Sequence, residues 1–313
     1  MLKRRLISAV IGLGALVGAT GLTYAEEPYI PIISKGFQHQ FWQAVKSGAE
    51  QSAKENNVRI TFEGPETEAM VDKQIDMLSA ALAKKPQALG LAALDSKAAI
   101  PLLKRARASK IPVIAFDSGV DSDIPLTTCT TDNLAAAALA ADKMAELIGN
   151  SGEVGVIVHD QTSRTGIDRR DGFLNQMKTK HPGIKIVSVQ YGAGDHLKSA
   201  EIAKAMIQAN PNLKGIFGAN EGSAIGAAIG VKESGKKLVL IGFDSGKAQK
   251  DAIKSGEMLG AITQNPIGIG KCTVHSAVKA LKGETLPKVI DTGFFWYDKT
   301  NMSDPKIAAV LYD

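Results

Sequence analysis

The stretch IPIISKGFQHQFWQAVKSGAEQSAKE, Ile30 to Glu55, runs from an apolar segment through a polar loop straight into an amphipathic helix. Phe41, Trp42, Val45, Gly48, Ala49, Ser52 and Ala53 recur at helical period along one stripe, and Lys46, Glu50 and Lys54 fall on the other side. The reading is strand, loop, helix. Residues 35–40 then sit between the carboxyl end of a strand and the amino end of a helix, where open α/β sheets bind their ligands. Pro31 removes a backbone donor and argues against a central strand, although the first residues of a strand tolerate it.

Working outward, strand and helix alternate. A strand is expected over 58–62, and a helix over 71–83 with Val71, Ile75, Leu78 and Leu82 on one face. A strand over 88–93, a helix to about 107 and an apolar strand over 112–116 follow, ending in Asp117, Ser118 and Gly119. Continuously apolar strands in this order argue for parallel sheets covered by helices on both faces. A second series starts near Glu153 and repeats the first. KPQALGLAALDSKAAIPLLKRARASKIPVIAFDS (85–118) can be laid against NPNLKGIFGANEGSAIGAAIGVKESGKKLVLIGFDS (210–245), both running from Pro through strand, polar loop, helix and strand to Phe-Asp-Ser. Asp117 and Asp244 are therefore equivalent points in two similar halves. The fold class expected is α/β, with two similar doubly wound parallel-sheet lobes facing one another across a cleft. Extended segments at 126–133, 259–265 and 291–293 are expected to cross between the lobes and form a three-segment hinge. The division is residues 26–131 plus 265–291 for the N-terminal lobe and 132–264 plus 292–313 for the C-terminal lobe.

The chain has 313 residues, 44% of them apolar, enough for two cores. Lys3, Arg4 and Arg5 precede an apolar run, Leu6 to Leu22, that closes on Thr23, Tyr24 and Ala25, the layout of a signal peptide over 1–25. An uncleaved anchor helix is the other reading. Removing 1–25 takes three positive charges and lowers the net charge from +5 to +2. No basic tract with interleaved aromatics remains, so nucleic acid is not an expected partner. The two cysteines, Cys129 and Cys272, lie away from the cleavage end, which leaves no lipid-attachment cysteine; they form one disulfide or remain two buried thiols.

A hydroxyl-rich ring needs apolar walls and forked polar groups. Phe41 and Trp42 can supply the walls, and Asp117, Arg169, Asn220, Asp244 and Gln264 the polar groups, all at or near strand ends. Core packing is the other reading of the two aromatics and turn capping that of the two aspartates, whose equivalent positions in the two halves favour the cleft. Arg169 sits early in a helix, where a cation opposes the helix dipole, and Lys35 ends an apolar strand. His39, His159 and Asp160 fit no zinc spacing and read as polar loop residues. Asp121 and Asp123 form no calcium loop. Gly268 to Cys272 fails the phosphate-loop pattern, and no Gly-x-Ser-x-Gly elbow occurs. No cofactor, metal or catalytic residue is expected.

In FWQAVKSGAE (41–50), IPVIAFDSG (111–119), TTDN (130–133), GIDRRDGF (166–173), GIFGANEGSAIGA (215–227), LIGFDS (240–245) and AITQNPIGIG (261–270), taken in order, the chain resembles the ribose-binding-like sugar-binding proteins of ABC importers, which have the type I periplasmic-binding fold. The resemblance covers essentially the whole chain after residue 25. It implies a small sugar or sugar-like furanose as ligand, an ABC permease as partner, a soluble periplasmic monomer and no enzymatic activity. It also implies that Phe41 and Trp42 clamp the ring while Asp117, Arg169, Asn220, Asp244 and Gln264 bind its hydroxyls. The chain departs from the ribose pattern at Ser118, His39 and Gly194, which makes the first two candidate specificity residues. The autoinducer-2 receptors are similar at Lys35, Asp117, Asp168 and residues 64–68, and differ at Arg169. A chemoreceptor or sensor kinase is a compatible second partner. Two other classes compete: a transcription regulator would need a DNA-binding helix pair where the export signal stands, and a secreted glycoside-active enzyme would use Asp117 and Asp244 as a carboxylate pair.

Overall fold

The computed structural model describes residues 27–313, so the signal-peptide expectation lies outside the described residues. The chain lays down β1 (Tyr29–Ile33), α1 (Gln40–Glu55), β2 (Arg59–Glu63), α2 (Val71–Ala83), β3 (Leu89–Leu91), α3 (Ile100–Ala108), β4 (Val113–Phe116) and β5 (Thr127–Thr130). It continues with α4 (Asn133–Ile148), β6 (Gly152–Val158), α5 (Arg164–Lys180), β7 (Ile184–Tyr191), α6 (His196–Ala209) and β8 (Leu213–Gly218). Then follow α7 (Glu221–Ser234), β9 (Val239–Phe243), α8 (Lys247–Ser255), β10 (Gly260–Gln264), α9 (Pro266–Leu281), β11 (Val289–Asp291), β12 (Phe294–Tyr297) and α10 (Pro305–Ala308).

Two six-stranded sheets result, ordered β2-β1-β3-β4-β5-β11 and β7-β6-β8-β9-β10-β12. The second order is the first displaced by one half of the chain, the repeat expected from the two FDS triplets. Every pairing is parallel except β10 with β12. Adjacent strand residues point to opposite faces, and both faces are apolar. In the first sheet Ile32, Ile114 and Phe116 enter one buried cluster with α1 and α9, while Ile33, Leu89 and Val113 enter the other with α2 and α3. In the second, Val154, Val156, Phe217 and Ile241 face α4 and α5, and Ile157, Ile216 and Leu240 face α6 and α7. Each sheet is thus wound on both faces. Pro31 is accommodated because β1 pairs with β3 only from Ile32 onward.

The chain passes between the sheets immediately after β5, immediately after β10 and between β11 and β12. The first two segments read as crossovers therefore begin as sheet strands, β5 and β10, and the passage itself is shorter than the sequence suggested. α9 returns the chain to the first sheet and crosses α1 at backbone contact: a Cβ on Gly48 would lie 2.1 Å from the Ile267 carbonyl oxygen, and one on Gly270 would lie 2.0 Å from that of Val45. Cys129 on β5 and Cys272 on α9 form a disulfide with Cα atoms 6.0 Å apart, so of the two states left open by the spacing the bonded one is present.

The bridge pins α9 to the strand that leads into the first crossing. It closes a loop with a sequence separation of 143 residues, for which chain entropy alone gives about 5 kcal/mol of stability. Replacing both cysteines by serine is expected to lower the thermal midpoint by roughly 10 °C. Unchanged melting on reduction of the wild-type chain contradicts this.

Candidate functional site

Strands β4 and β9 end in the two FDS triplets, and both aspartates occupy the left-handed region, Asp117 at φ 51° and Asp244 at φ 80°. A non-glycine residue rarely adopts that region without being held there. The Asp117 N–H donates to the Cys129 carbonyl at 2.8 Å and the Asp244 N–H to the Ile262 carbonyl at 2.6 Å. Thr130 Oγ1 donates to the Asp117 carbonyl oxygen at 2.6 Å, and the Tyr297 hydroxyl donates to that of Asp244 at 2.8 Å. The same backbone device in both lobes holds the two aspartates at one enclosed space.

That space is a small cavity between the lobes, about 250 Å³ of non-atom space when its open side is counted. Lys35, His39, Phe41, Trp42, Glu68 and Asp117 line it from the first lobe, and His159, Thr165, Arg169, Asn220, Asp244 and Gln264 from the second. Phe41 and Trp42 meet edge to face with centroids 5.0 Å apart. They belong to the core cluster of the first lobe and to the cavity wall at once, so both readings of the stripe apply.

Most polar groups are already tied to one another. Trp42 Nε1 donates to Glu68 Oε1 at 2.8 Å, and Asn220 Nδ2 donates across the lobes to Glu68 Oε2 at 3.4 Å. Gln264 donates to Asp244 Oδ1 at 2.7 Å and accepts from Thr131 at 2.9 Å. Arg169 is buried over the Phe243 ring, 3.8 Å from its centroid; it donates to Asn133 Oδ1 at 2.8 Å and the Ala219 carbonyl at 2.9 Å, and stands 3.9 Å from Asp244. These contacts offset its unfavourable place near a helix start. Lys35, only 2% exposed, reaches into the second lobe to Ser163 at 3.3 Å, Thr165 at 3.2 Å and Asp160 at 3.7 Å.

Asp117 differs. Among the described residues its carboxylate accepts no hydrogen bond although it is 4% exposed. Burial raises its pKa to about 6 against the pull of Lys35 and Arg169. Burial also pushes Glu68 upward, but Lys35, His39 and the Trp42 hydrogen bond outweigh it and hold Glu68 below the usual range. Burial and Lys35 keep His159 neutral, with a pKa of about 3. Its Nδ1 and that of His39 are buried without a partner.

Of the residues expected at the site, the fold brings Lys35, His39, Phe41, Trp42, Asp117, Arg169, Asn220, Asp244 and Gln264 to one cavity and leaves out Ser118 and Asp168. Ser118 is fully buried beside it with an unpartnered hydroxyl. Asp168 is drawn outward by Arg164, 2.5 Å away, into a groove on the far side of Asp117. Sequence reasoning missed Glu68, His159 and Thr165. His159 directly follows β6, as Ser34 and Lys35 follow β1, so the repeat that equated the aspartates carried the signal for it. Glu68 comes from the loop after β2, a strand-end loop like the others.

A family model described as the periplasmic binding protein domain matches residues 30–285. The chain belongs to that family. It is 28% identical to the D-ribose/D-allose-binding protein of Pseudomonas aeruginosa over 90% of this chain and 92% of the relative. It superposes with a TM-score of 0.88 at 35% identity on a carbohydrate transporter solute binding protein of Agrobacterium radiobacter in complex with D-arabinose, covering 91% of this chain and 99% of that one. A solute binding protein of Agrobacterium vitis with bound D-fucose matches at TM-score 0.88 and 33% identity, covering 91% and 100%. Its relatives are binding proteins of transporters rather than enzymes, and the fold is that of the type I, ribose-binding-like group.

The state of Asp117 makes a pH test available. In the ligand-free chain its pKa is raised from 3.8 to about 6, so its contribution favours folding below pH 4 and is lost as pH rises through 6. A ligand that donates hydroxyls needs the carboxylate form. Affinity is therefore expected to be steady above pH 7 and to fall by up to about tenfold per pH unit below pH 6. Asp117→Asn should bind more weakly and show a flatter profile by calorimetric titration. An identical pH profile in the variant contradicts this assignment.

Proposed function

We propose that this chain is the substrate-binding component of an ABC importer, closing its two lobes around one uncharged monosaccharide and delivering it to a membrane permease. The observation that carries the reading is the unpartnered Asp117 carboxylate in a cavity between the lobes lined by two aromatics and mostly paired polar groups. A hydroxyl-bearing ring supplies the missing donors and a C–H face for Phe41 and Trp42. The sugars named for the relatives, ribose, allose, arabinose and fucose, are single rings that carry such hydroxyls. In this reading Arg169, Asp244, Asn220 and Gln264 orient the ring from the second lobe, and Lys35, His39, Glu68, His159 and Thr165 discriminate among sugars.

Export to the periplasm after removal of residues 1–25, action as a monomer, and the lobe division at 131/132, 264/265 and 291/292 belong to the same proposal. Among the described residues no helix is long and apolar enough to cross a membrane. Signalling through a chemoreceptor or kinase would use the same closed form. Autoinducer-2 is the second reading: Lys35 and Asp117 favour it, and the outward position of Asp168 weighs against it.

The test is thermal unfolding of the protein against pentoses, hexoses, polyols and autoinducer-2, with Trp42 emission read in parallel. A true ligand at about 100 times its Kd adds about 2.7 kcal/mol, a rise of several degrees. At least one aldopentose or aldohexose is expected to give it, with loss of the shift in Asp117→Ala. Stabilisation by autoinducer-2 alone would move the assignment to the second reading, and no stabilisation across the panel would overturn both.

A further inference from the structure

The first N–H groups of a helix have no partner inside it and are usually met by the side chain just before it. In this chain α4, α5, α6, α7 and α9 are capped that way by Asp132, Ser163, Asp195, Asn220 and Asn265. Helices α1 and α8 are not: His39 makes no side-chain cap, and Gly246 has no side chain. Each instead receives its cap from the opposite lobe. Glu221, the first residue of α7, accepts from the Gln40 N–H at 3.0 Å on Oε1 and from the Phe41 N–H at 3.1 Å on Oε2, at the start of α1. Gln40, the first residue of α1, accepts with its side-chain oxygen from the Lys247 N–H at 2.7 Å, at the start of α8. α2 and α3 also lack a side-chain cap, and among the described residues no side chain of the other lobe hydrogen-bonds to their first turns.

The surroundings are built for this exchange. A Cβ on Gly246 would lie 2.8 Å from Glu221 Oε1 and 3.0 Å from Gln40 Oε1, so glycine leaves the room in which the two caps meet. The Tyr312 hydroxyl donates to Glu221 Oε2 at 3.1 Å and accepts from the Ser245 N–H at 3.2 Å, while its ring packs in the core cluster of the first lobe. Glu221 is 3% exposed, and its carboxylate faces the positive end of α1. Neither Gln40 nor Glu221 lines the ligand cavity.

We infer that Gln40 and Glu221 form a reciprocal latch, each lobe capping a helix of the other, which sets how firmly the closed state is held and scales affinity without selecting the ligand. The inference rests on the proposed closing motion. Opening hands these N–H groups back to water, so the latch biases the open-closed equilibrium by an amount of the order of an N-cap and cannot lock it. Because apparent affinity is proportional to the competent fraction while that fraction is small, the bias reaches every ligand equally.

The test reads closure without ligand. Spin labels at Lys54→Cys in the first lobe and Lys180→Cys in the second, both exposed, report the interlobe distance distribution. Gln40→Ala, in which the buried carboxylate is untouched, is expected to lower the ratio of closed to open molecules about fivefold, the equivalent of one N-cap; Glu221→Gln should lower it also. Kd for D-ribose and for D-arabinose should both rise about fivefold, with their ratio unchanged. An unchanged distance ratio in Gln40→Ala, or no closed population in the unsubstituted protein, overturns the latch, as does a change in the ratio of the two Kd values. A fallen distance ratio in a protein that binds no sugar of the panel supports the latch and overturns the sugar reading instead.

Discussion

A carboxylate that a protein largely buries and gives no hydrogen bond of its own is costly to keep charged. Asp117 is in that position, and the rest of the cleft makes sense around it. The charges near it are mostly committed elsewhere: Lys35 to Ser163, Thr165 and Asp160, Glu68 to Trp42 and Asn220, Asp244 to Gln264 and the Glu221 N–H. Closing the lobes around an empty cavity leaves Asp117 unsatisfied. Closing them around a hydroxyl donor does not. Differential stabilisation of this kind is what a ligand must supply to shift two lobes between states, and it also disfavours a ligand that lacks a donor at that point.

The fold delivers this arrangement by duplication. Two sheets of the same order turn their strand-end loops toward each other, so the same local geometry occurs twice with different side chains. Asp117 and Asp244 share a left-handed backbone and a tethered N–H, yet one carboxylate is partnered and the other is free. The chain crosses between the halves three times. In the proposed latch, the crossed caps of Gln40 and Glu221, outside the cavity, add closure energy that is blind to the ligand.

Much of this was legible in the sequence because buried parallel strands must be continuously apolar and their helices amphipathic. The helix over 71–83 has the bounds its periodicity gives, and the repeated FDS triplets located the two aspartates. Thr127–Thr130 was harder: TTCT is too polar to look like a sheet strand, and it reads as a linker until Cys129 is seen packing on α9. Burial direction was out of reach. Nothing in the spacing shows that Asp168 turns outward to Arg164 while Arg169 turns inward over Phe243. His159 looked like a loop histidine because a single side chain carries no periodicity; only its equivalence to the end of β1 could have raised it. The pairing of Cys129 with Cys272 and the capping of one lobe's helices by the other are long-range contacts that local sequence does not encode.

The most direct measurement is a crystal structure of the protein grown with a saturating aldopentose or aldohexose. The account expects one ring between the lobes, its C–H face against Phe41 or Trp42, with hydroxyl groups within hydrogen-bond distance of the Asp117 carboxylate and of Arg169 or Asp244. A sugar bound outside this cavity, or a closed complex in which Asp117 still lacks a donor, would contradict it.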